Sequence, residues 1–181
     1  MAQLNNLPDE LLCQIISYNV PAVLRSRIDL NQFMRDGASS KRLLRLTKDT
    51  FFRTYTHKVD ITCIYTALSP RCAYTQVHTD GPLAARSSFC NQIRDANLKL
   101  HVYYPASIAI AVQELKGALG RYGQLRNIRV GISTGSHEVA DELGEKVREV
   151  LDLYRSTRKR LGTCLTTELM GHQVMSCSSS T

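Results

Sequence analysis

The first apolar residues of the chain recur at helical spacing. Pro8 suits a helix start because its missing N–H would have no partner there, and Asp9 and Glu10 place negative charge at the positive end of the helix dipole. The next apolar positions lie on one stripe of such a helix: Leu11, Leu12, Ile15 and Ile16. The pattern predicts an amphipathic helix that ends at Asn19-Val20-Pro21.

Two further short helices are predicted before residue 57. The second begins near Pro21, carries Leu24 and ends at Asp36-Gly37. Ser39 or Ser40 can cap the third. The apolar positions of the third helix are Leu43, Leu44, Leu46, Phe51 and Phe52. Because so small a unit has only a marginal core, we expect it to pack on a partner or on the rest of the chain.

The pattern changes to alternation after the third helix and predicts a strand over residues 59–64. Residues 66–97 show no clear pattern apart from a short helix near Ser88–Arg94. A strand–helix–strand unit is then predicted over residues 98–132, with its helix beginning near Pro105. The short crossover predicts that its two strands are parallel and that the connection is right-handed.

A long amphipathic helix is predicted over residues 137–161, capped by Ser136 or Thr134. The small, polar residues 163–181 predict a disordered tail. The expected fold class is therefore α+β, with a helical module at residues 1–57 and an α/β segment at residues 58–162. The two strands of the 98–132 unit match at an offset of 30 residues. This offset fits either a truncated leucine-rich-repeat-like unit or the ordinary return of a strand–helix–strand unit.

Composition is that of a folded protein: of 181 residues, 43% are apolar and 22% are charged. The uncharged stretch Leu100–Gln113 is too short to span a bilayer, and residues 1–12 lack a signal core, so we expect a cytoplasmic or nuclear protein with no membrane contact.

The six cysteines form no CxxC pair and are predicted to be reduced. We predict no metal or other cofactor, and one scattered metal site stays open as an alternative: Cys63, Cys72, His78 and Cys90.

The formal net charge of +7 comes mainly from two regions. Residues 1–57 hold eight Lys and Arg against five Asp and Glu, and residues 58–135 hold nine against four. This excess permits contact with an acidic partner or with nucleic acid.

No catalytic motif is present: the sequence lacks GxGxxG, GxxxxGK[ST], HExxH and GxSxG. The glycine-containing turn at residues 131–136 is followed by three acidic residues, which disfavour a bound anion and indicate a capped helix start. We therefore predict a protein that is not an enzyme. An enzyme site at the strand ends, near Tyr103-Tyr104 and Ser133–Gly135, stays open as an alternative.

The N-terminal sequence resembles an F-box. Leu7-Pro8-Asp9-Glu10-Leu11-Leu12, followed by Ile15-Ile16 and Tyr18, is similar to the opening of that family's pattern, Leu-Pro-x-Glu-Leu followed by paired aliphatic residues. Ser40–Leu46 resembles its Ser-Lys-Arg helix, and Phe51–Thr54 its closing aromatic stretch. The resemblance covers residues 4–57, about a third of the chain. The chain departs from the pattern in its longer, more polar stretch over residues 19–39 and in having no Trp.

The resemblance implies a substrate receptor of an SCF-type (cullin–RING) ubiquitin ligase. Its three helices would bury an apolar face against a helical Skp-family adaptor protein, and the following segment would recognise an unknown target protein. The implied partner-binding residues are Leu7, Pro8, Leu11, Leu12, Ile15, Ile16 and Leu24. The alternative is that these residues pack as ordinary core.

A second function is left open by the third helix. Lys41, Arg45 and Lys48 share one of its faces, which resembles in outline the recognition helix of a small basic helix-turn-helix-like nucleic-acid-binding protein.

Overall fold

The structure, a computed structural model, describes residues 6–21, 27–37, 39–69, 72–80, 87–157, 161–169 and 172–178. Three N-terminal helices precede a mixed α/β layer. The helices are α1 (Asp9–Asn19), α2 (Arg27–Asp36), α3 (Lys41–Thr54), α4 (Ser87–Cys90), α5 (Ile108–Gly120) and α6 (His137–Ser156). The strands are β1 (Thr56–Ser69), β2 (Cys72–Asp80), β3 (Asp95–Val102), β4 (Asn127–Thr134), β5 (Gly162–Leu169) and β6 (His172–Ser178).

The strands form one six-stranded sheet in the order β2-β1-β3-β4-β5-β6. The four inner strands, β1, β3, β4 and β5, are parallel. Each edge strand is antiparallel to its neighbour and is joined to it as a hairpin. The mixed α/β character and the parallel pairing of β3 with β4 are thereby confirmed.

The register of the sheet corrects the predicted offset of 30 residues. Leu98 pairs with Val130 and not with Ile128. Val59 pairs with Leu98 and Val130 with Leu165, so successive inner strands are separated by 39, 32 and 35 residues. The fixed period that a leucine-rich-repeat-like unit requires is therefore not found in these strands.

The two faces of the sheet differ. One face is covered by α5, which contacts β1 and β3, and by α6, which contacts β4 and β5. Every second residue of the central strands is buried on this face, including Leu98, Leu100 and Val130. The other face carries polar side chains such as Lys58, Asn97 and Arg129. This alternation follows from the period of two in a strand that has one buried face.

Three sequence predictions change at the sheet edges. Strand β1 is longer than the predicted 59–64, and β2 lies in the stretch that showed no pattern. The predicted disordered tail is wrong over residues 163–169 and 172–178, which lie in β5 and β6. Within β5, Leu165 lies on the buried row beside Val130.

The predicted starts of α1, α3 and α6 agree with the structure, whereas α2 begins at Arg27, after residues 22–26 that lie outside the described part, and α4 ends at Cys90 and not near Arg94. Ser40 caps α3 by accepting a hydrogen bond from the backbone N–H of Leu43 at 3.1 Å. Ser136 caps α6 in the same way, with the N–H of Val139 at 3.4 Å. Helix α6 ends at Ser156, and residues 158–160 of the predicted helix lie outside the described part of the chain. No helix in that part is both long and apolar enough to cross a membrane.

An aromatic cluster joins the N-terminal helices to the α/β layer. Its centre is Phe51 of α3, which is fully buried. The Phe51 ring stacks on Tyr55 with centroids 4.9 Å apart and meets Phe52 edge-on at 5.1 Å. Phe33 of α2 lies 5.5 Å away and Phe89 of α4 lies 6.4 Å away. One side chain therefore contributes to the packing of three helices.

The cluster continues into the sheet through His57 of β1. The imidazole is fully buried and meets the Phe89 ring edge-on at 5.5 Å. Its Nδ1 lies 2.9 Å from the hydroxyl of Tyr122, which follows α5. Burial raises the pKa of Tyr122, so the phenol stays protonated and can donate this hydrogen bond. The bond ties α5 to the start of β1.

We expect Phe51→Ala to lower the free energy of unfolding by about 3–5 kcal/mol, because truncation of a fully buried ring leaves a cavity shared by three helices. Leu44→Ala is the matched control on the same helix, since Leu44 is 40% exposed. It should cost less than ~1 kcal/mol. Urea unfolding followed by circular dichroism measures both, and equal losses would contradict the central position given to Phe51.

Candidate partner-binding surface

Helix α1 exposes three large side chains on one side. Leu11 is 46% exposed, Ile15 is 43% exposed and Tyr18 is 90% exposed. They occupy positions i, i+4 and i+7, so they follow one face of the helix. We call these three residues the outer stripe. Such spacing is typical of a helix that places anchor residues into the groove of a partner.

A small core lies beneath the outer stripe. Leu12 is 1% exposed and packs with Leu43 and Leu46 of α3. Leu7, Cys13 and Ile16 are partly buried around these three residues. This cluster is separate from the main core, so α1 is held chiefly by α3.

The residues predicted to bind a partner are thus divided by the structure. Leu11, Ile15 and Pro8 are exposed, whereas Leu7 and Ile16 are partly buried. Leu12 is buried against α3 and supports the surface from below. Leu24 lies outside the described residues. The predicted set therefore contains two residues of the outer stripe, Leu11 and Ile15, together with residues that are buried or partly buried beneath it.

Tyr18 is the exposed member of the stripe that the predicted site omitted. Its signal in the sequence is its spacing of seven residues from Leu11, which places the two side chains on the same face of α1. The predicted partner-binding residues are all aliphatic apart from Pro8, so the set leaves Tyr18 out.

Arg42 of α3 fixes the start of α1. Its guanidinium donates to the Asp9 carboxylate through Nε at 2.8 Å and through Nη2. The same Nη2 donates to the carbonyl oxygen of Leu7 at 2.8 Å. One side chain therefore holds the last residues before α1 and its first residue. This contact also pairs the Pro-Asp-Glu segment of the motif with the Ser-Lys-Arg segment.

The three basic residues predicted to share a face of α3, Lys41, Arg45 and Lys48, are all exposed. Two of them line a groove between α3 and the loops that precede β3 and β4. We call it the basic groove, and its volume is about 500 Å³. Its lining residues are Arg45, Leu46, Lys48, Asp49, Phe52, Gln92, Arg94 and Gln124.

The scattered metal site can be judged from the sheet register. Cys63 is buried on the core face of β1, whereas His78 of β2 pairs with Thr62 and points to the opposite face. Cys63 and His78 therefore cannot bind the same ion. The side chain of Cys72 lies outside the described part. No group of three or more potential metal ligands is present among the described residues.

The turn after β4 is closed by its own hydrogen bonds. The Thr134 hydroxyl donates to the carbonyl oxygen of Ser136 at 3.1 Å, and Ser136 caps α6. Glu138 follows in the first turn of α6. The predicted capped helix start is confirmed. Tyr103 and Tyr104, the neighbouring residues of the proposed enzyme site, are 37% and 52% exposed.

No protein-family model matches the chain, and neither a curated protein nor a solved structure matches it.

We expect Arg42→Ala to loosen the start of α1. Loss of a partly exposed ion pair and of the bond to the Leu7 carbonyl should cost about 1 kcal/mol locally, which corresponds to roughly fivefold faster amide hydrogen exchange in residues 9–19. Hydrogen exchange with mass spectrometry measures this rate. Arg53→Ala is the control, because Arg53 pairs with Asp49 within α3. Equal acceleration of exchange in α1 by both variants would contradict the role given to Arg42.

A second prediction concerns the cysteines. Burial raises the pKa of the Cys63 thiol, with a further contribution from the Glu114 carboxylate, and burial also raises the pKa of Cys90. Fewer thiolates form at these sites, and the buried sulfurs are shielded as well. Iodoacetamide at pH 8 should therefore modify Cys13 and Cys164, which are partly exposed, before Cys63 and Cys90. Peptide mass spectrometry of the native protein gives the order, and early modification of Cys63 or Cys90 would contradict their burial.

Proposed function

We propose that this protein is an F-box-type adaptor that links a target protein to an SCF (cullin–RING) ubiquitin ligase through a Skp-family adaptor protein. In this proposal helices α1–α3 are the F-box-like module, and the α/β layer carries the target. The protein acts without a catalytic site or a cofactor of its own, in the cytoplasm or the nucleus.

The outer stripe of α1 is the observation that carries the proposal. Single exposed apolar side chains such as Leu153 are common on any helix, but Leu11, Ile15 and Tyr18 lie together on one face of α1 while Leu12 is buried. Exposed apolar side chains that follow one helix face are typical of protein interaction sites. All three lie in the segment that resembles the opening of an F-box.

The hydrogen bonds of Arg42 to Asp9 and to the Leu7 carbonyl support the same proposal. Binding costs less when the surface is already ordered, because fewer side chains and backbone bonds must be fixed on association. Arg42 and the cluster under α1 hold the outer stripe in place before any partner arrives. The F-box-like Ser-Lys-Arg segment would thus serve the interface without contacting the partner.

The proposal predicts that Leu11→Asp together with Ile15→Asp weakens binding to a purified Skp-family protein by about 100-fold or more. Two anchor side chains are lost, and two carboxylates would be desolvated in the interface. Isothermal titration calorimetry with the full chain measures the dissociation constant.

The matched control is Ile64→Asp together with Leu153→Asp. These side chains are 42% and 65% exposed and lie on β1 and α6, away from α1. The control should bind as the unchanged chain does. Failure of the unchanged chain to bind, or equal losses in the two double variants, would refute the proposed function.

A further inference from the structure

The basic groove combines three cations with a recessed shape. Arg45 and Lys48 extend from α3, and Arg94 extends from the loop before β3. Asp49 is the one acidic residue among its lining residues. Arg45 is well exposed, its side chain at 75%, and its contact with Asp9 is a distant one of 3.9 Å. The groove therefore carries a net positive charge that solvent can reach.

The groove already holds one carboxylate. The Asp49 side chain pairs with Arg53 of its own helix, and its Oδ1 lies 3.6 Å from Nη2 of Arg94. This ion pair links α3 to the α/β layer. The Arg94 guanidinium is therefore oriented so that it can pair with a carboxylate in the groove. Arg45 and Lys48 provide positive charge beyond what Asp49 neutralises.

The rest of the lining suits a peptide. Gln92 and Gln124 provide amides that can donate to and accept from a peptide backbone. Phe52 and Leu46 form an apolar floor but are each only 8% exposed. Single-stranded nucleic acid is usually held by aromatic side chains on which its bases stack. Among the described lining residues of this groove, the one aromatic side chain, Phe52, is too buried to serve in that way.

We propose that the basic groove binds an acidic segment of a protein partner, with aspartate or glutamate side chains of that segment contacting Arg45, Lys48 and Arg94. The proposal that the groove binds an acidic segment rests on its charge, shape and lining residues and does not depend on the adaptor function. Its assignment as the place where the adaptor holds its target rests on the proposed function above. The partner surface on α1 and the groove would then be two separate sites on one chain.

The test uses the full chain and a fluorescein-labelled oligo-glutamate peptide of about ten residues, followed by fluorescence anisotropy at low salt. Arg45→Glu together with Lys48→Glu should weaken binding by about tenfold or more, because both charges are reversed. Lys146→Glu together with Arg148→Glu is the control with the same change in net charge, made on exposed positions of α6. The control should weaken binding less than about twofold.

Arg45→Gln together with Lys48→Gln tests the same site with a smaller disturbance of the fold and should weaken binding by an intermediate factor. Absence of binding by the unchanged chain would overturn the proposal, as would equal losses in the groove and control variants. A labelled oligo-uridylate of the same length that binds more tightly than the peptide, and loses affinity in the groove variants, would overturn it in favour of nucleic acid.

The two proposals fail separately. The Arg45 and Lys48 variants should still bind the Skp-family protein, and the Leu11 and Ile15 variant should still bind oligo-glutamate. Peptide binding without Skp-family binding would leave the groove as an acidic-segment site and remove its assignment to an adaptor. Skp-family binding without peptide binding would support the adaptor function and remove the proposal that the basic groove binds an acidic segment.

Discussion

The packing of aromatic rings around Phe51 is the constraint on which the rest of the molecule depends. The three N-terminal helices are too short to form a sufficient core by themselves. The end of α3 instead packs into the core of the α/β layer, where Phe51 contacts aromatic rings from α2 and α4. The hydrogen bond between His57 and Tyr122 extends this junction to β1 and α5. The helical module is therefore fixed to the sheet through α3.

This arrangement explains why α1 can present apolar side chains. The inner side of α1 packs against α3 in the small cluster of Leu12, Leu43 and Leu46. This cluster is separate from the main core beneath the sheet. The outer stripe is left exposed on a helix that is nevertheless well anchored by Arg42. The basic groove arises from the same geometry, because α3 bridges the helical module and the loops at the start of β3 and β4.

Secondary structure was predicted correctly from the sequence where the apolar periodicity was strong. The helices and the parallel pair β3 and β4 came from stripes and alternation that the buried faces impose. The sequence-based prediction missed the edge strands β2 and β6 and the inner strand β5, which pair with their neighbours through the backbone and carry few apolar residues. Within the candidate site, the predicted set includes exposed Leu11 and Ile15 but not Tyr18, the most exposed residue of the outer stripe. It did not separate buried Leu12 from exposed Leu11, since adjacent residues differ only in which way α1 faces α3.

The most direct test of the account is hydrogen exchange of the full chain with and without a saturating Skp-family protein. If the outer stripe is the docking surface, exchange should slow in residues 9–19 and stay unchanged in α6, which lies over the other half of the sheet. Binding that leaves residues 9–19 unchanged, or protects α6 instead, would contradict the claim that α1 is exposed in order to be covered by a partner.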